Sequence, residues 1–305
     1  MGTPAFAVPS LEALAAAATV VGVVSQPDKP RGRGLARQPT PVAAAARAHG
    51  LPLIQPATLR GAEGVAALAA WHPDLLVVAA YGKILSRAIL DLPSVAPVNV
   101  HASLLPRHRG AAPIAAAIAA GDTETGITIM RMTAELDTGD VLLQERLPIA
   151  PDDTTTTLTA RLAELGGRTL AAALAALRGA GLTPRPQDPA HATYAPRLSR
   201  QSGHIDWTAA AEVIARAVRA FTPWPGSSTR LGGHTVKVLA ARVADAPAPA
   251  AAPGTVVALD DRAVRVATGA GTLDLLELQM EGKRALPAPA FARGARIEAG
   301  RRFDD

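Results

Sequence analysis

The sequence predicts an α/β domain built around a mostly parallel sheet, followed by a small β-barrel. Residues up to about 150 alternate short β-branched runs with helical stretches, the pattern of parallel strands joined by covering helices. The run Leu75-Leu76-Val77-Val78-Ala79-Ala80 is apolar on both faces, as a central strand covered on both sides must be. Five short strands with Gly turns crowd the last third of the chain, the spacing of a small barrel. A length of 305 residues favours two domains over one at roughly 150 residues per domain.

Taken in order, the chain opens with Gly2-Thr3-Pro4 leading straight into a helix that Ser10 caps, where an α/β sheet ordinarily begins with a strand. Either a first strand precedes Met1 or the sheet is one strand shorter. Strands are expected at 20–24, 75–79, 98–101, 127–132 and 141–149, with helices at 41–49, 61–70 and 111–119 between them. Asp152 or Asp153 caps a long helix that runs to about Arg178, where Gly179, Gly181, Pro184 and Pro186 end it. The Pro-rich, polar segment 184–200 reads as a linker between a domain of residues 1–183 and one of residues 201–305. Beyond it come a helix at 209–220 behind Thr208 and strands at 227–231, 236–240, 254–259, 263–268 and 272–278. The Ala/Pro tract 245–253 reads as a long loop inside the barrel.

Lys and Arg number 31 against 26 Asp and Glu, a net charge of +5. Up to Ala195 there are 16 basic and 15 acidic residues, and after it 15 and 11, so the excess is +1 and then +4. Between Ser25 and Arg37 the basic residues Lys29, Arg31, Arg33 and Arg37 face Asp28 alone, a charge pattern that suits a polyanion, although a solvated loop is its commoner origin. A hydrophobic fraction of 49% excludes global disorder. The absence of cysteine excludes disulfides, thiolate nucleophiles and iron–sulfur clusters. Residues 11–24 are interrupted by Glu12 and have no basic residue before them, fitting neither a signal peptide nor a membrane span; a soluble, cytoplasmic protein acting as a monomer is expected.

The most informative segment is Asn99-Val100-His101-Ala102-Ser103-Leu104-Leu105-Pro106, followed by Arg109-Gly110-Ala111-Ala112-Pro113. On a strand, Asn99 and His101 share a face at the C-terminal end, the edge where open α/β sheets bind ligands. They offer a donor for a developing oxyanion and a group that titrates near neutrality. The turn Glu135-Leu136-Asp137-Thr138-Gly139-Asp140 can bring a carboxylate to the same edge, where Asp137 would favour the charged imidazolium. Alone, that turn reads as a plain hairpin.

The combination N-x-H-x-S-L-L-P-x-x-R-G-x-x-P with a later L-D-T-G-D resembles the 10-formyltetrahydrofolate-dependent formyltransferases. The likeness extends through Gly2-Thr3-Pro4-x-Phe6, the 25–34 segment, Val78-Ala79-Ala80-Tyr81-Gly82, Gly121-Asp122-x-Glu124-Thr125-Gly126, Ile205-Asp206-Trp207, Phe221-x-Pro223-Trp224-Pro225 and Pro253-Gly254-Thr255, essentially the whole chain. The resemblance implies a Rossmann-like formyltransferase fold followed by an OB-like β-barrel. It implies attack on the formyl carbon of 10-formyltetrahydrofolate by the α-amine of methionine esterified to initiator tRNA. Asn99 and protonated His101 match the family's oxyanion donors, and Asp137 matches the carboxylate that pairs with the imidazole and organises the water carrying the proton. Ser103, Leu104, Leu105 and Pro106 match the folate-binding stretch. No metal is required. The basic residues Lys29, Arg31, Arg33 and Arg37 fall in a loop matching the family's insertion on the tRNA acceptor arm, with Arg33 at its most important position, and the C-terminal barrel would hold tRNA by its backbone.

The resemblance also implies a strand ahead of Gly2-Thr3-Pro4, with Met1 at a position where the family has Ala, so translation from an upstream codon is expected to add a short apolar strand. Formylation of glycinamide ribonucleotide is disfavoured by the basic loop and the barrel; an amino-sugar nucleotide is the nearer competitor, set apart by the loop. A tRNA-binding module without turnover is the reading from another class, and the intact Asn99, His101 and Asp137 argue against it. Trp207 and Trp224 are expected in the core rather than as base-stacking platforms.

Overall fold

The computed structural model describes residues 1–31, 36–179, 181–245 and 250–304. They form two compact units: Met1–Pro113 with Thr123–Ile149 and Leu158–Pro196, and Ile114–Asp122 with Ala150–Thr157 and Arg197–Asp305.

Helix α1 spans Val8–Ala17, with a proline in its first turn, where the missing N–H is no loss and the fixed φ starts the helix. Ser10, expected as the cap, therefore lies inside the helix, buried. The strand expected over 20–24 is confined to β1, Val23–Val24, which pairs in parallel with β4, Leu53–Ile54. Between them, β2 (Lys29–Arg31) and β3 (Ala36–Gln38) make an antiparallel ribbon where an irregular loop was expected. Helix α2, Pro41–Ala48, is capped by Thr40, whose hydroxyl accepts from the Ala43 amide. Then follow α3 (Ala62–Ala69), β5 (Leu75–Val78), α4 (Arg87–Leu90), β6 (Ala96–His101), β7 (Arg109–Gly110) and α5 (Pro113–Ala120). The remaining elements of this half are β8 (Glu124–Arg131), β9 (Val141–Pro148), α6 (Thr155–Arg178) and β10 (Tyr194–Ala195).

The main sheet of the first unit has the order β5-β6-β8-β9. β5 and β6 run parallel, and β8 is antiparallel to both of its neighbours. Met1 and Gly2 lie between β1 and β5: the Gly2 amide donates to the Val24 carbonyl at 3.0 Å and the Ala79 amide to the Met1 carbonyl at 2.9 Å. The Met1 amino nitrogen donates to the Val77 carbonyl, and burial lowers its pKa to about 5. An apolar cavity of about 390 Å³, lined by Leu11, Val20, Trp71, Leu76 and Ile89 among others, opens here. On α6, Gly166 and Gly167 permit close packing: a Cβ would stand 3.2 Å from Val100 in β6 and 2.9 Å from the Pro9 carbonyl in α1. Asp153, an expected cap of α6, instead accepts from the Ala150 amide and the Thr157 hydroxyl, and the helix begins at Thr155.

The second unit contains α7 (Ala211–Ala220), β11 (Ser227–Leu231), β12 (His234–Val243), β13 (Val256–Leu259), β14 (Val264–Ala267), β15 (Thr272–Met280), β16 (Leu286–Pro287) and α8 (Ala288–Ala295). Thr208 does not cap α7; its hydroxyl donates to Asp206, and the cap position is Ala210. The antiparallel order is β11-β12-β15-β14-β13, with β16 beside β15. The expected barrel does not close by a ladder among the described residues, because the C-terminal segment intervenes: Asp304 bridges Arg230 in β11 and Arg302 bridges Thr255, next to β13. Val236, Val256, Val264, Leu273 and Leu275 fill the core with Ile214 and Val218 of α7. Trp207 is buried there, stacked on Phe303, with its indole N–H donating to Thr229. Trp224, expected in the core, is 53% exposed: it stands between Pro223 and Pro225 in the turn after α7 rather than on a core-facing element. Asp274, 2% exposed, is held by Arg265 and Arg242, the pairing that a buried carboxylate requires. No described helix is long and apolar enough to cross a membrane.

Candidate functional site

Strand β6 presents Asn99 and His101 on one face at its C-terminal end because they are alternate residues of a period-2 strand. β8 supplies the pairing partners Met130 and Thr128 opposite them. The turn between β8 and β9 brings Asp137 to the same edge. Its backbone is left-handed, with φ 53°, a conformation that Asp tolerates better than most residues. Gly139 follows where a Cβ would fall 1.8 Å from the Arg131 carbonyl, so only glycine fits the turn.

The three side chains meet. Asp137 Oδ1 accepts from Asn99 Nδ2 at 3.5 Å, Oδ2 accepts from the Gly110 amide at 2.8 Å, and Oδ2 stands 3.7 Å from His101 Nδ1. His101 is 5% exposed, and its Nε2 faces the His108 carbonyl at 3.0 Å; a carbonyl only accepts, which puts a proton on Nε2. Burial pushes the imidazole pKa below 6.5, while Asp137 and the His108 carbonyl pull it up. The net direction is downward. Asp137 thus favours the charged ring, as expected, and desolvation opposes it more strongly.

The stretch after His101 is tied to the sheet. Thr128 Oγ1 donates to the Ser103 carbonyl and accepts from the Leu105 amide, and Gln144 Nε2 donates to the Leu105 carbonyl. Ser103 Oγ donates to the Arg107 carbonyl. Ser103 and Leu105 are buried by the protein itself, and Leu104 and Pro106 are half-exposed. The ribbon β2–β3 carries Lys29 and Arg37, both exposed, and Arg31; Arg33 lies outside the described residues. Asp28, the one acid of this segment, is engaged at the ribbon's base. Hydrogen bonding from Gln55, then from the Thr40 amide and Arg47, holds its carboxyl below the usual range, leaving the ribbon's own charge positive.

Residues that local patterns did not reveal complete the site. The segment 185–195 runs along it rather than away from it. Val141 and Arg185 exchange two backbone hydrogen bonds of 2.9 Å, and β10 pairs in parallel with β7. The Thr193 hydroxyl accepts from the His108 amide, and Gln187 bonds Arg109, Asp137 and Gly139. Nothing in the neighbourhood of Gln187 in the sequence signals this, since its partners lie 48 to 78 residues away.

The formyl transferase family model matches residues 3–174, and the model of the formyl transferase C-terminal domain matches residues 197–296. The methionyl-tRNA formyltransferase of Roseiflexus sp. (strain RS-1) is 47% identical over 312 residues, covering 100% of this chain and 94% of the relative. That of Anaeromyxobacter dehalogenans (strain 2CP-C) is 50% identical over 299 residues, covering 97% of this chain and 96% of the relative. Among solved structures, WlaRD, a sugar 3N-formyl transferase in the presence of dTDP and 5-N-formyl-THF, matches with TM-score 0.68 and 16% identity over 93% of this chain and 97% of that one. At that identity the likeness is one of fold. With both parts matched in order along the chain, and an Asn–His–Asp cluster at the end of β6, this chain belongs to the formyl transferase family.

Proposed function

We propose that this chain transfers the formyl group of 10-formyltetrahydrofolate to the α-amine of methionine esterified to initiator tRNA, giving the N-formylated charged tRNA used to start translation in the cytoplasm. The observation that carries this reading is identity of 47% and 50% across nearly the full length of both chains to proteins named for that reaction. The amino-sugar alternative has in its favour a likeness of fold at 16% identity.

The co-substrate supplies the formyl group. The rigid 103–106 segment suits its aromatic rings, because Thr128 and Gln144 satisfy the Ser103 and Leu105 backbone groups and leave Leu104 and Pro106 as the apolar surface. As the amine attacks, the formyl oxygen gains negative charge and the amine must lose a proton; collapse of the tetrahedral intermediate then breaks the bond between the formyl carbon and N10 of the folate, which takes up a proton and leaves as tetrahydrofolate. Asn99 presents a donor for that oxygen, and His101 a second one when its ring is protonated. His101 gains proton affinity as negative charge grows beside it, and Asp137, 3.7 Å away, compensates the imidazolium. Asp137 also organises the water that carries the proton. The first unit, with residues 184–196 lying along its site, thus performs the transfer, and residues 201–305, with their excess of basic groups, hold the tRNA backbone.

A formyl-transfer assay tests the reaction, with charged initiator tRNA as acceptor and free methionine and an amino-sugar nucleotide as controls. Formylation of the charged tRNA alone is expected; turnover of the sugar nucleotide in its place would overturn the assignment. Lys29, Arg31, Arg33 and Arg37 are assigned to the acceptor arm. Arg33→Ala and Arg37→Ala are each expected to weaken productive tRNA engagement and to reduce the slope of log affinity against log salt by about one, the signature of one lost phosphate contact. An unchanged slope removes the ribbon from the interface.

A further inference from the structure

We propose that Gln187 is a positioning residue for the reaction, a side-chain clamp that sets the carboxylate of Asp137 by tying the 137–139 turn to Arg109. The proposal rests on the roles assigned above to His101 and Asp137.

A glutamine amide has two N–H donors and two acceptor sites, and all four are engaged here. Nε2 donates to the Asp137 carbonyl at 2.9 Å and to the Gly139 carbonyl at 2.7 Å. Oε1 accepts from Arg109 Nε at 3.0 Å and from Arg109 Nη2 at 2.8 Å. Carbonyls only accept and a guanidinium only donates, so a single orientation of the amide satisfies the set. The two arms it joins meet again at the site, where the Gly110 amide, next to Arg109, donates to Asp137 Oδ2 at 2.8 Å.

Such a clamp answers a local need. Asp137 lies in a turn, and its left-handed backbone, like that of His108 at φ 58°, is held by neither helix nor ladder. Gln187 sits between two anchors, the Arg185–Val141 bonds on one side and the Thr193–His108 and β10–β7 bonds on the other. Its side chain therefore projects from a fixed frame. The Asp137–His101 separation of 3.7 Å is just beyond hydrogen-bond length, so a small displacement of the turn changes how strongly the carboxylate supports the ring. The ionisable groups facing His101 are Asp137 from the turn and His108 from the loop before β7. The side-chain hydrogen bonds of Gln187 go to Arg109 and to the Asp137 and Gly139 carbonyls, and it acts through Asp137.

Two variants separate positioning from stability. Gln187→Ala removes the clamp; Gln187→Glu keeps its length and its bond to Arg109 but sets an acceptor against the Asp137 and Gly139 carbonyls. For both, kcat is expected to fall by ~10- to ~10²-fold, the range for displacement of a positioned group by about 1 Å, with KM for both substrates within about threefold of the parent. The titration of the His101 ring, followed by NMR and assigned by its loss in His101→Ala, is expected to move to lower pH because carboxylate support is withdrawn. A merely structural residue would lower the melting temperature without moving that titration. Parent-like titration in both variants overturns the clamp, whatever the melting temperature. His101→Ala and Asp137→Asn are assayed in parallel: if they turn over like the parent, the catalytic roles fall, while the NMR titration still decides the clamp. Should Gln187→Ala fail to fold, Gln187→Glu carries both readouts.

Discussion

Replacing His101 by alanine is expected to lower turnover by ~10²–10⁴-fold, the range for a general acid–base or oxyanion group, with tRNA affinity little changed. The ring is 5% exposed, its Nε2 held by the His108 carbonyl and its Nδ1 3.7 Å from Asp137, a setting that bulk water does not reproduce. Single-turnover rates and tRNA titrations on the same preparation separate the two effects; activity within a few-fold of the parent would remove His101 from the mechanism. The same substitution has a consequence for stability. Burial lowers the folded pKa of His101 below its ordinary 6.5. The unfolded chain therefore takes up this proton first as pH falls, and the folded state loses stability from about 6.5 down to the folded value, while above that window the effect vanishes. Urea denaturation at about pH 7.5 and about pH 5.5 is expected to show a smaller decline in His101→Ala than in the parent.

The largest stability effect is expected at Trp207. Its ring is 1% exposed, 5.7 Å from the Phe303 ring in a stacked arrangement, and its N–H donates to Thr229 Oγ1 at 2.9 Å. Thr229 passes the connection on by donating to the Asp304 carbonyl at 2.7 Å, and the C-terminal residues bridge the edges of the sheet. Trp207→Ala is expected to destabilise the second unit by ~3–5 kcal/mol, the usual cost of removing a buried Trp. Trp207→Phe keeps much of the ring but leaves Thr229 without its donor, for about 1 kcal/mol from the lost hydrogen bond beyond the packing change. Chemical denaturation measures both; a loss under about 1 kcal/mol for Trp207→Ala would show that the core collapses around the gap.

Patterns were readable where an element buries one face, with period 2 or 3.6, and where a strand is apolar on both faces, as Leu75–Val78 is. Leu75–Val78, Ala96–His101, Ser227–Leu231 and the helix ending at Arg178 all lie close to their expected places. Local errors arose where two start signals competed: a proline in the first turn of α1 overrode Ser10, and Thr208 bonded Asp206 instead of capping α7. Trp224 was misplaced because residue type carries an average burial and says nothing of the element that presents it. At His101 the sequence likewise shows one of two opposing influences. An aspartate in the sequence announces its charge, whereas the desolvation opposing it depends on every neighbour that excludes water.

The spacing Asn99-x-His101 at a strand end and the Asp137 turn were legible because each is local: alternate residues on a strand share a face, and a turn declares itself by Asp and Gly. That they converge within hydrogen-bonding range, that Asp137 takes a left-handed backbone, and that Gln187 ties its turn to Arg109 were not. Residues 184–196 carry the composition of a linker, Pro-rich and polar, yet they lie along the site. Backbone and amide groups pair with whatever the folded chain brings within about 3 Å, and no periodicity encodes partners 50 residues apart.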